Sequence, residues 1–180
     1  MLEMLLTRFR TDLKENFSDL KQQPFGGRRW DQDFPGEVEA TDVRYAVFLG
    51  VVTMIPAAVI VFVSPAPQWK TIALFFAAPL QAVISGFLTS SILFLGSYVN
   101  KTPISYPMAF KVMLRVMAVF PLLRILSIHP LLLALGTGAY GFFVVRAAVK
   151  TLPISVRNAG LFFGSIYAVF TLLQLQAGLT

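Results

Sequence analysis

Six basic residues are the strongest candidates for chemistry in this chain: Lys101, Lys111, Arg115, Arg146, Lys150 and Arg157. Lys111 and Arg115 are spaced i, i+4, as are Arg146 and Lys150, so each pair shares one face of a helix. All nine acidic residues fall between Glu3 and Asp42, so no carboxylate accompanies these cations from Val43 onward. Lys and Arg clustered among apolar helices bind anionic lipid head groups. They are also the ordinary signature of the cytoplasmic side of a membrane protein, and they can pair with the acidic residues of the first 42 positions.

Other chemistry is short of reagents. There is no Cys and a single His, His129, which precedes Pro130 at an expected helix start and reads as a loop residue. A Ser-His-Asp arrangement would have to borrow its acid from the amino-terminal segment. No phosphate-binding loop, dinucleotide fingerprint or HExxH pattern occurs. A proton-coupled carrier normally needs an acid or His within the membrane, and none is present. Asp31 and Asp33 can be read as a divalent-cation pair or, more simply, as part of a solvated linker. The expectation is therefore no enzyme, no metal site, no cofactor and no nucleic-acid partner.

The elements that must position the cations are membrane helices. The chain is 56% hydrophobic and 13% charged over 180 residues, and soluble domains carry about twice that charge. Five apolar segments stand out: 45–63, 71–99, 109–128, 131–149 and 159–175. At about 1.5 Å rise per residue, each is long enough or nearly so to cross a core of about 30 Å. The third holds Lys111, Arg115 and Arg124, all close enough to its ends to snorkel. A repeat supports its crossing: Pro103-Ile104-Ser105 returns as Pro153-Ile154-Ser155, and Ala118-Val119-Phe120 as Ala168-Val169-Phe170. Equivalent loops lie on one side, so the two segments between them must cross as a pair.

The expected fold is thus an all-α membrane protein with two parts. Residues 1–43 form a cytoplasmic amphipathic helix and an acidic linker, and residues 44–180 form a five-helix transmembrane domain. Helix 1–22 carries the stripe Leu2, Leu6, Phe9, Leu13, Phe17 and Leu20, for docking on a partner or on the bundle itself, or for lying on the membrane. Arg28, Arg29 and Trp30 read as an interfacial anchor. The excess of Lys and Arg puts the amino end inside and the carboxyl end outside, in what reads as a bacterial inner membrane. Small residues mark packing faces: Ala78, Ala82 and Gly86 on the second segment, and Gly160 and Gly164 on the fifth.

The order of features from Tyr45 to Leu175 resembles the Yip1 family. The resemblance is carried by Pro103 to Phe110, by Leu114-Arg115-Val116 continuing to Phe120-Pro121-Leu122-Leu123, and by Tyr140 to Lys150 with the Pro153 loop and Ala159. It implies five packed membrane helices behind a cytoplasmic amino-terminal region. The Asp-Leu-Tyr-Gly-Pro type motif of eukaryotic members is absent, so the chain looks like a prokaryotic-type member. The implied role is a non-catalytic scaffold or accessory subunit with lipid and protein partners. The alternative is a small permease with a path near Gln81, Pro79 and the glycines of the fourth segment.

Overall fold

The computed structural model describes residues 1–18, 20, 23–26, 29–34, 36–63 and 68–179; the side chains of 60–63, 68–72, 74–75, 78–79, 127–128, 130 and 177–179 lie outside the description. Among the described residues every regular element is helical. In chain order these are α1 (Leu2–Phe17), α2 (Ala40–Val52), α3 (Met54–Val63), α4 (Gln68–Val99), α5 (Tyr106–Met117), α6 (Phe120–Arg124), α7 (Pro130–Thr151), α8 (Val156–Ala159) and α9 (Ser165–Leu179). Short 3-10 turns cover Asp31–Asp33 and Ile125–Ile128, and a π-helical turn, Gly160–Gly164, joins α8 to α9.

Four stretches are long and apolar enough to span a membrane: Ala40–Val59, Leu80–Val99, Leu131–Thr151 and Val156–Gln176. The protein is a multi-pass helical membrane protein. The segment 109–128 is not among the four. Its three cations lower its hydropathy, and its helix breaks between Met117 and Phe120. Pro121 explains the break, because it has no N–H to give the carbonyl of Met117. The same physics bends the first stretch: Pro56 cannot serve the carbonyl of Val52. There the Thr53 hydroxyl turns back onto the carbonyl of Gly50 and separates α2 from α3.

Helix starts follow their caps. Glu39 and Asp42 form a reciprocal capping box at α2. Ser105 and Ser155 accept from Met108 and Asn158 at the starts of α5 and α8. His129 does the same for α7, its Nδ1 accepting from the Leu131 amide.

The short α5 is the centre of the bundle. Residues Ala109 to Met117 are all buried, as befits a helix packed on every side. It touches α1, α2, α4 and α7. One core gathers Val112, Met113 and Val116 with Leu93, Val144, Ala147, Phe163 and Trp30. A second gathers Phe110, Leu114 and Met117 with Leu5, Tyr45, Leu49 and Ala82. At one end of the bundle α1 and residues 23–26 and 29–34 lie over α5 and the last turns of α7, as a polar cap.

Several expectations meet their outcome here. The amino-terminal helix stops at Phe17 rather than continuing to 22, with Ser18 extended at ψ 145°. Ala82 is buried and Gly86 lies against Met117. Gly164 faces Val145 at 3.7 Å, whereas Gly160 has nothing within 4 Å of where a Cβ would stand. The side chain of Ala78 lies outside the described residues.

Candidate functional site

The cap brings four of the six cations together and buries them. Lys111, Arg115, Arg146 and Lys150 are 7%, 8%, 0% and 3% exposed. Ions this deep must be paired, or their charge costs several kcal/mol. The acids come from the amino-terminal segment, the only part of the chain that has any.

Arg115 sits at the middle. Its Nε lies 3.2 Å from Asp12 Oδ1 and its Nη1 2.9 Å from Asp33 Oδ2. Asp42 takes Arg8 at 2.9 Å and Lys111 at 3.7 Å. Its second role, accepting from the Glu39 amide at 3.0 Å, ties this ion cluster to the start of α2. Asn16 donates to the carbonyl of Arg115 at 2.6 Å, so α1 grips the α5 backbone as well as its side chain.

Arg146 works differently. It binds backbone carbonyls: Pro24 at 2.7 Å, Glu15 at 3.1 Å, and those of Asn16 and Ser18. The last carbonyls of a helix lack intrahelical partners and carry the negative end of its dipole. Arg146 supplies the missing donors and so closes the end of α1. This explains why α1 stops at Phe17.

Trp30 fills the space between the cations. It is 1% exposed. Arg115, Arg146 and Lys150 stand 5.0, 5.9 and 5.5 Å from its ring. An indole face attracts desolvated cations, so one side chain softens the burial of three. The reading of Trp30 as an interfacial anchor is corrected: it plugs the bundle. Its amide donates to the carbonyl of Lys150 at 2.9 Å, and Arg29 Nη2 to that of Thr151 at 3.2 Å. The linker therefore caps the end of α7 while α7 closes the end of α1. Arg28 lies outside the described residues.

Burial raises the pKa of Asp12 above its ordinary 3.8, against the lowering pull of Arg115, the Tyr45 hydroxyl and Arg8. Desolvation outweighs pairing at this carboxyl.

The remaining candidates lie elsewhere. Lys101 and Arg157 are exposed, outside the buried cluster. Lys101 adopts a left-handed conformation, φ 58°, where α4 ends, a position that usually takes Gly. Asp31 and Asp33 turn to different cations, Arg29 at 2.9 Å and Arg115, so they do not act as a pair. Of the docking stripe, Leu13 and Leu20 pack against the core. Phe9 meets Phe48 and Phe17 meets Phe143, edge to face. Leu2 and Leu6 are exposed. Sequence reasoning missed Asp12, Asn16 and Asp42 as members of the site. The signal was available in one respect: Asp12 and Asn16 share a helix face at i, i+4.

Between α1 and the start of α2 a cleft of about 920 Å³ reaches down to Asp12, Lys111 and Arg115. Two of the three glycines of α7 are covered: Tyr167 packs on Gly141, and the Leu123 carbonyl on Gly136, while Gly138 has only the Thr171 hydroxyl oxygen, 3.9 Å from where a Cβ would stand.

No family model, curated protein or solved structure matches the chain.

Proposed function

We propose that the protein is a non-catalytic integral membrane scaffold or accessory subunit of the Yip1 type, with five crossings and its amino end in the cytoplasm. One observation carries the functional part. The groups best suited to chemistry are used up in holding the molecule together: Arg115 and Lys111 by Asp12, Asp33 and Asp42, and Arg146 by four carbonyls. What remains on the surface is suited to contact with lipid and protein.

The packing supports five crossings. The end of α4, the start of α5 and the end of α7 all lie near the cap. The start of α7 is about 30 Å away along its axis. The segment 106–128 joins these two levels while packing on α4 and α7. It crosses as a broken, centrally buried helix, which is how three cations are accommodated in it. Orientation follows from the positive-inside rule, with the cap in the cytoplasm.

In this reading Lys101 and Arg157 meet anionic head groups at the cytoplasmic rim, because they are the accessible ones among the six candidate cations. Lys111, Arg115, Arg146 and Lys150 are structural while the cap is closed. The packing on Gly136 and Gly141 of α7 favours a scaffold over a permease.

The test is purification in a gentle detergent with identification of bound protein and lipid. A stoichiometric protein partner is expected, with anionic lipid retained by the parent and reduced in Lys101→Gln/Arg157→Gln. A chain that purifies alone, with lipid retention untouched by both changes, overturns the reading.

A further inference from the structure

The cleft between α1 and α2 has an uneven charge. Five carboxylates line it (Glu3, Asp12, Asp33, Glu39 and Asp42), against three basic side chains, Arg8, Lys111 and Arg115. All three bases already hold Asp12, Asp33 or Asp42. Glu3 and Glu39, both exposed at the rim, are left against the α-ammonium of Met1, so the cleft keeps an excess of one negative charge. Glu3 has no ion-pair partner among the described residues. An anion entering this cleft meets net repulsion, and a cation meets attraction.

The cleft also has an apolar side. Met1, Met4 and Phe34 line it. Met4 is 49% exposed, and the neighbouring Leu2 62%. Beyond Leu5 this first stretch of α1 lacks an apolar partner, whereas Leu13 lies against both cores. Unbranched thioethers adapt to irregular apolar side chains. Exposed methionines beside acidic residues at the rim are the chemistry that receives a helix with one apolar and one basic face.

We propose that this cleft docks a basic amphipathic segment of a partner protein, with its apolar face on Met1, Met4 and Phe34 and its cations at Glu3 and Glu39. The inference deepens the scaffold reading and rests on it, by naming where the partner sits and what it is made of. The volume suits one or two turns of side chains rather than a whole domain. Electrostatic steering brings the segment in, and apolar burial holds it.

The full chain in phosphatidylcholine nanodiscs provides the test, with empty discs subtracted. The probe is a fluorescein-labelled Leu/Lys peptide of about 14 residues, roughly four helical turns. Two controls have the same length: one with Glu for Lys, one with the Leu and Lys order scrambled to abolish the apolar face. Saturable one-to-one binding is expected for the amphipathic basic peptide, at least about tenfold tighter than for either control, and weaker at high salt. Glu3→Lys/Met4→Ser should weaken it by about tenfold or more, the size of one lost charge pair with its apolar contact. Lys14→Glu, outside the cleft, should not. Both changed side chains are exposed, and near-ultraviolet circular dichroism checks that the cap stays closed. Equal binding of the scrambled peptide, or no effect of the double variant, overturns the proposal. So does self-association of the chain through these residues, or burial of Met4 in the lipid of an anionic disc. A native partner that still co-purifies with the double variant removes the cleft while leaving the scaffold reading intact.

Discussion

The membrane spans Leu131–Thr151, in α7, and Val156–Gln176, most of it in α9, have the same length, 21 residues, and similar mean hydropathy, yet they live in different surroundings. The α7 span is 56% buried and the span containing α9 17%. Apolarity alone does not distinguish them. The difference lies in their ends. The last turns of α7 carry Arg146 and Lys150 into the cap, and its final carbonyls receive Trp30 and Arg29. The α9 helix ends with no charge at all. It is tied to α7 by close packing at Gly141 and by a Thr137 hydroxyl donating to Gln174 at 2.6 Å. Its other face, with Val169, Leu172 and Leu173, is open to lipid or partner. A polar lock fixes the position of one helix, and shape fixes the other.

The contrast can be broken by substitution, and the cap end should break hardest. Trp30→Ala empties a fully buried site and exposes three cations to one another. A loss of about 3–5 kcal/mol is expected, read as unfolding in detergent. Arg146→Met keeps the bulk but orphans four carbonyls, for about 3 kcal/mol. Limited proteolysis between Phe17 and Trp30 should accelerate in that variant, and an unchanged rate would show that α1 is held by other means.

Asp12→Asn is a milder change, about 1 kcal/mol at neutral pH, with a distinctive pH dependence. The folded pKa of Asp12 is raised, so the folded state takes up its proton first. Its contribution to stability therefore grows as pH falls through the raised value. It is complete below 3.8 and is lost again as pH rises. A carboxylate held chiefly by its ion pairs would do the reverse. Subtracting the Asp12→Asn stability curve from the parent's should reveal this slope, and the opposite slope would mean that Arg115 outweighs burial.

A pair of glycines sharpens the contrast at its weak end. A Cβ at Gly141 would stand 2.5 Å from Tyr167 Cβ, so Gly141→Ala should cost about 1–3 kcal/mol by overpacking. Gly160→Ala meets open space and should be neutral, or stabilising by up to about 1 kcal/mol through helix propensity. Thermal scans of both variants side by side settle the difference.

Much of this was legible in the residues. The place of the six cations at helix ends predicts that all of them converge; Lys111, Arg115, Arg146 and Lys150 do, and Lys101 and Arg157 stay outside. That the acids before residue 43 could answer them was one of the open readings. Three features were hidden. Arg146 binds carbonyls, which every residue has and no composition reveals. Trp30 was read by its usual habit at head-group level, because nothing local says that an indole will be drawn in by three cations arriving from two later helices. Helix 109–128 carried the right length but broke at Pro121, a residue whose effect depends on whether a neighbour can serve the freed carbonyl. The apolar spans were the easy part, since hydrocarbon leaves the backbone few choices.

The cap also sets an order of events. Its acidic half lies in the first 42 residues, while its seat includes Arg115, Arg146 and Lys150. At about 5–20 residues per second, synthesis reaches Lys150 several seconds after Asp42 has emerged. Through that interval Trp30, Asp12 and Asp33 wait without Arg115, Arg146 and Lys150. Closure becomes possible only when the late helices are in place, so a closed cap certifies a finished insertion. A chain stalled or truncated before α7 would leave the same segment hanging free, marked by its exposed tryptophan for any protease that patrols the membrane face.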